Sequence, residues 1–125
     1  MDVEKQINYW RSSGEEDLEV ARSLVEKRHF RHALFFAHLA IEKLLKAHVT
    51  RKTGQVPPKI HHLARLAEIA GLPMEVETKD SLRAFSVYQL EGRYPDSVQV
   101  PLDSATARVK LSWATEMVEW LKNRL

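Results

Sequence analysis

Apolar positions recur every three to four residues along most of the chain, and short joints rich in glycine and proline cut that pattern into five stretches. From about residue 3 to 27, Ile7, Trp10, Leu18, Ala21, Leu24 and Val25 keep helical spacing, although "SSGEED" interrupts the stripe. Ser13 with Glu16 resembles a capping box that would start a new helix, whereas Gly14 inside one long helix would cost only about 1 kcal/mol. One helix, with room for a kink, is the expectation.

Residues 30–52, "FRHALFFAHLAIEKLLKAHVTRK", give the strongest helical signal. Ala33, Ala37, Ala40, Ile41 and Leu44 form one stripe, and Leu34, Phe35, Leu45 and Val49 add a second apolar face, the pattern of a central helix. Its most polar wedge carries His32, Lys43, Lys46 and Thr50. Lys43 and Lys46 stand about one turn apart and can grip a phosphate or simply solvate a surface, and Glu42 is placed to pair with Lys46 at i,i+4.

After "TGQVPPK", the positions Leu63, Leu66, Ala67 and Ala70 predict a short helix stopped by Gly71. A fourth helix follows Pro73, with Leu82, Phe85 and Tyr88 or Gln89 as its inner edge, and Pro95 predicts its end near Leu90. Ala107, Leu111, Ala114, Val118, Leu121 and Leu125 mark a last helix begun by a cap at Asp103 or Ser104. Every proline (Pro57, Pro58, Pro73, Pro95, Pro101) falls between these stretches, and no run reads as a strand. The expected fold is all-α, an antiparallel up-and-down bundle of four longer helices plus one short one, in a single domain over 1–125.

Composition narrows the chemistry. Apolar residues make up 44% of the chain and charged residues 29%, which suits a globular domain. Without a cysteine there are no disulfides, no thiolate catalysis and no cysteine-ligated zinc. The charged N-terminal stretch is unlike a signal peptide, and no run approaches the roughly 20 apolar residues of a membrane span, so a cytoplasmic protein with no membrane partner is expected. Charge is uneven. Lysines and arginines number three against six acids over residues 1–25, nine against two over 26–65, and seven against nine over 66–125. All six histidines lie in the basic middle block, which makes an anionic partner plausible beside the plainer reading of a solvated helix face.

No phosphate-binding glycine loop, HExxH or nucleophile elbow is present. His61 and His62 are adjacent and would point apart on a helix, so no metal site and no cofactor are expected, although His38, His48 and a loop histidine could converge in space. The stretch that stands out is "EGRYPDS", residues 91–97. It puts Arg93, Tyr94 and Asp96 at a turn stiffened by Pro95. Arginine offers a planar charged fork for phosphate, tyrosine a stacking face and a hydroxyl, and aspartate a group to orient the arginine. The trio suits an anionic, ring-containing ligand, a nucleotide such as ATP or a strand of RNA. Alternatively, Arg93 pairs with Asp96 and the turn is only structural.

In order, "FRHALFFAHLAIEKLLKAHV", "PPKIHHLARLAEIAGL" and "RYPDS" make the chain similar to the HEPN family, the higher eukaryotes and prokaryotes nucleotide-binding domain, in its small stand-alone type. The resemblance runs from about Tyr9 to Leu121. It implies a helical bundle, commonly a homodimer, often encoded beside a minimal nucleotidyltransferase in a two-component, toxin–antitoxin-like system. Some members bind nucleotides. Others are metal-independent RNases that rely on an arginine and a histidine separated by four to six residues, in the region matching Arg93 onward. Here Tyr94-Pro95-Asp96-Ser97-Val98-Gln99-Val100 follow, with no histidine. Arg22 with His29 and Arg31 with His38 satisfy the spacing but sit around the first two helices, where the motif does not belong.

Metal-free RNA cleavage needs a group that moves protons near neutral pH, so the missing histidine weakens the RNase alternative unless His61 or His62 substitutes. The leading expectation is therefore non-catalytic. Arg93 and Tyr94 would contact the ligand, Asp96 would orient Arg93, Lys43 and Lys46 would add phosphate contacts if their face meets the turn, and a nucleotidyltransferase would be the partner. A third reading is a homodimeric interaction module in which Trp113, Trp120 and the outer face of the second helix form the seam.

Overall fold

The computed structural model describes residues 1–93 and 101–125, and side chains within 1–90 and 101–125. Five helices make up the described chain: α1 Val3–Glu26, α2 Phe30–Thr53, α3 Leu63–Ala70, α4 Val76–Arg93 and α5 Ser104–Asn123. Each boundary has a local cause. Asp2 caps α1 by accepting from the Lys5 N–H, and Asp103 caps α5 by accepting from the Thr106 N–H at 2.8 Å. That bond, with the Thr106 hydroxyl, holds the Asp103 carboxyl below the usual carboxylate range. Gly54 and Gly71 end α2 and α3 in the left-handed conformation, both at φ 68°.

Helix α1 runs unbroken through "SSGEED", so the capping box does not act there. Gly14 is buried against α2, where a β-carbon would lie 2.4 Å from Leu44 Cδ2 and 3.1 Å from the Ala40 carbonyl oxygen. The glycine is a close-approach residue. Trp10 beside Lys46, Gly14 beside Ala40 and Asp17 beside Lys43 show the two helices antiparallel.

Helix α2 is central and packs against all four others. It runs parallel to α5, with His48 and Arg51 reaching the carbonyls of Leu121 and Leu125, while α4 lines up antiparallel to α5. The long helices thus alternate in direction along the chain, and α3 rides in the connection between α2 and α4. Ile41, Leu44, Leu45, Leu66, Leu82 and Val118 are fully or almost fully buried among them. No helix among the described residues is long and apolar enough to cross a membrane.

Two expectations need correction. Helix α4 extends to Arg93 rather than ending near Leu90, because a proline restricts mainly the residue directly before it, and three further residues fit before Tyr94. The polar wedge of α2 is not a solvated face: Lys46 and Thr50 are buried, and only His32 of the four is exposed. The packing of α1 covers it.

Candidate functional site

The expected ligand turn begins where α4 stops. Arg93 is the last residue of α4, its side chain lies outside what is described, and Tyr94 and Asp96 lie outside the described residues. The two lysines are fully described. Lys43 Nζ sits 2.8 Å from Asp17 Oδ2 and donates to Ser13 Oγ at 2.7 Å. Lys46 is 7% exposed, with Nζ 3.1 Å from Glu42 Oε2 and 5.5 Å from the centroid of the Trp10 ring. Both ammonium groups face α1 partners, and the "SSGEED" stretch supplies those of Lys43.

The densest polar cluster centres on Glu42, a carboxylate only 3% exposed in the middle of α2. His61, in the connection leading to α3, donates from Nδ1 to its two oxygens at 3.1 and 3.2 Å. The buried His38 places Nδ1 3.8 Å from Glu42 Oε1, and its ring stacks on Phe85 of α4 at 6.4 Å between centroids. Burial of a carboxylate is tolerable only with partners of this kind, and here a cation and an imidazole supply them. The cluster pins the α2–α3 connection to the central helix.

Its chemical capacity lies in His61, whose side chain is 45% exposed. With Nδ1–H committed to Glu42, the neutral ring has its lone pair on Nε2, the arrangement of an imidazole set up to accept a proton. The other histidines do different work. His48 Nε2–H donates to the Leu121 carbonyl at 2.8 Å on the α5 side, and His62 Nδ1 caps α3 by accepting from the Arg65 N–H. So His38 and a loop histidine do meet, while His48 stands apart from them. No group of three or more histidine, aspartate or glutamate side chains among the described residues is arranged to hold a metal ion.

A model of the HEPN domain matches residues 7–124. The chain belongs to the HEPN family. Its fold is similar to two solved structures, TT1696 from Thermus thermophilus and ST0689, an archaeal HEPN homologue. The first has a TM-score of 0.79 at 21% identity, covering 96% of this chain and 98% of the other. The second has a TM-score of 0.67 at 21% identity, covering 94% and 96%. No curated protein matches by sequence.

Within this HEPN domain, sequence reasoning finds the Glu42–Lys46 pair from its spacing and misses what surrounds it. His61 is nineteen positions from Glu42, and only the path of the α2–α3 connection brings them together. The i,i+4 series His38, Glu42, Lys46 is the readable signal, since a charge flanked by such partners on an otherwise apolar helix has to be accounted for.

Proposed function

We propose that this HEPN protein binds a nucleotide or another phosphate-bearing ligand at the end of α4, without catalysing its turnover. It would act in the cytoplasm as a homodimer and as the partner of a nucleotidyltransferase in a toxin–antitoxin-like pair. The observation that carries the reading is the RYPD sequence beginning at the terminal residue of α4 in a chain of this family. Arg93 and Tyr94 are assigned as ligand contacts, and Asp96 as the residue that orients Arg93. Lys43 and Lys46 join only if a ligand draws them from Asp17 and Glu42, so their share is the smaller one.

Calorimetric titration of ATP into the protein and its Arg93→Ala variant tests this. Saturable heat that weakens at least about tenfold in the variant supports the assignment, since a charge-assisted contact is worth roughly 1.5–3 kcal/mol. Equal affinity in both removes Arg93 from the site.

The contact between Glu42 and His61 favours a second reading, a metal-independent RNase in which His61 supplies the proton transfer that the RYPD region lacks. Cleavage of RNA in the presence of a chelator, lost in His61→Ala, would establish it. Intact RNA after prolonged incubation with the wild-type protein would end it.

A further inference from the structure

His61 and His62 are neighbours in the connection leading to α3, and their rings use the same atom in opposite ways. His62 Nδ1 lies 3.1 Å from the backbone nitrogen of Arg65, a group that can only donate, so this Nδ1 carries a lone pair and the proton of the neutral ring sits on Nε2. His61 Nδ1 faces the two oxygens of Glu42, which accept, so its proton sits on Nδ1. Two adjacent histidines are thus held in opposite tautomers by their partners.

A proton taken up from solvent therefore acts on them with opposite sign. On His61 it lands on Nε2, leaves the Nδ1–H bond in place and sets a cation beside a buried carboxylate, which tightens the anchor to α2. On His62 it lands on Nδ1, the one basic nitrogen of that ring, and turns the acceptor of the cap into a donor facing the Arg65 N–H. The added charge also meets the positive end of α3. Nearby charges do not offset it. From α2, Lys46 and His38 face Glu42 together with His61; on α3, Arg65 pairs with Glu68 at 3.3 Å; on α4, Arg83 pairs with Asp80. Among the described residues no carboxylate bonds or pairs with the His62 ring.

We propose that His62 makes the start of α3 pH-sensitive, capped while its ring is neutral and released when the ring is protonated, with His61 holding the connection to α2 in both states. The capped state excludes the proton and the released state accepts it, so a falling pH shifts the balance toward release. A short helix has little to replace the cap. Helix α3 is eight residues long, and the Leu66 N–H closes its first turn on the His62 carbonyl at 3.0 Å. Its buried Leu63, Leu66 and Ala67 belong to the core shared with α2 and α4, so release of that turn loosens apolar packing on the central helix. The device is independent of what the end of α4 binds.

Imidazole nitrogen shifts and amide hydrogen exchange, both read by NMR at about pH 7.5 and 5, decide it. At the higher pH, His62 is expected as the Nε2–H tautomer and His61 as the Nδ1–H tautomer; His62 found with its proton on Nδ1 overturns the proposal. Between the two pH values, the protection factors of Leu66 and Ala67 are expected to fall about fivefold beyond any fall shared by α2, the usual worth of an N-cap. A fall of equal size in α2 and α3 overturns the proposal, because it reports the whole fold and not the start of α3. In His62→Asn, whose side chain caps without titrating, the extra fall in α3 should vanish. Its persistence there counts against His62. His62→Ala should show the lower α3 protection already at the higher pH, and unchanged protection would mean that the cap does not hold the turn. His61→Gln should keep the extra fall, and its loss would assign the response to His61 and overturn the proposal.

Discussion

Two helix pairs of the bundle, α1 with α2 and α4 with α5, are built on opposite terms. Between α1 and α2, backbones come close enough at Gly14 to exclude a methyl group, and each charge is met: Lys43 by Asp17 and Ser13, Lys46 by Glu42 and the Trp10 face. In the α4–α5 cleft, Phe85 stacked on Trp113 holds the helices apart, the indoles of Trp113 and Trp120 stay partly exposed, and the carboxylates of Glu75 and Glu116 lack a partner among the described residues. A buried polar group needs its partner within the fold, whereas an exposed carboxylate is satisfied by water, so specificity is carried by the first pair of helices. Charge alone does not separate the two. The lysines that a sequence reader assigns to a phosphate are already met within the fold.

The sharpest way to break that contrast is Glu42→Ala. It leaves Lys46 buried without its carboxylate and releases His61, and the loss of one partner of a buried pair costs about 3 kcal/mol or more. Urea unfolding should show the midpoint fall accordingly, with Glu42→Leu combined with Lys46→Met recovering most of the loss. A change below about 1 kcal/mol in the single variant would mean that the cluster is not holding the fold. Gly14→Ala comes next. Helix propensity alone predicts a gain of about 1 kcal/mol, but the added carbon meets Leu44 and the Ala40 carbonyl, and overpacking should leave a net loss of about 1–2 kcal/mol. A stabilised variant would show that Leu44 turns aside freely and that the seam is looser than the distances imply.

These variants also mark what the sequence can disclose. Period and punctuation are enough for the helices: the stripes of α2 and α5, the glycine stops after α2 and α3, and the Asp103 cap are local signals that the structure keeps. The end of α4 lies past the expected one because proline disfavours helix mainly at the residue directly before it. Lys46 and Thr50 turn out buried because a wedge that looks polar on a helical wheel can still be covered by a neighbouring helix. "SSGEED" looks like a defect in its own helix for the same reason. Its serine, glycine and aspartate answer Lys43, Leu44 and Ala40, about thirty residues away, and no window along one helix contains both sides. His61 and the α4–α5 cleft depend likewise on the path of connections, which periodicity does not encode.

His48 sharpens the comparison through pH. It is buried with Nε2–H donating to the Leu121 carbonyl. Burial pushes its pKa below the ordinary 6.5, the Leu121 bond opposes that, and the cationic Arg51 and Arg124 add to the lowering. A folded pKa below the unfolded one means that the unfolded chain takes up the proton first. His48 therefore costs no stability above about pH 6.5 and progressively destabilises the fold as pH falls from there toward its lowered value. Urea midpoints measured from pH 7.5 to 5 should decline, and the decline should be shallower in His48→Gln. Parallel profiles for the two proteins would place the titration elsewhere.

The smallest effect on stability is expected from Arg124→Gln, and that smallness is informative. Arg124 is exposed and touches the fold through the Trp120 face, a contact worth about 0.5 kcal/mol at such sites. Its removal also takes one cation from the neighbourhood of His48, so the acid-side decline should become slightly shallower. Urea unfolding of both proteins from pH 7.5 to 5 reads the two effects together. A loss above about 1 kcal/mol would put Arg124 among the residues that hold the fold, and the α4–α5 pair would then resemble the α1 side after all.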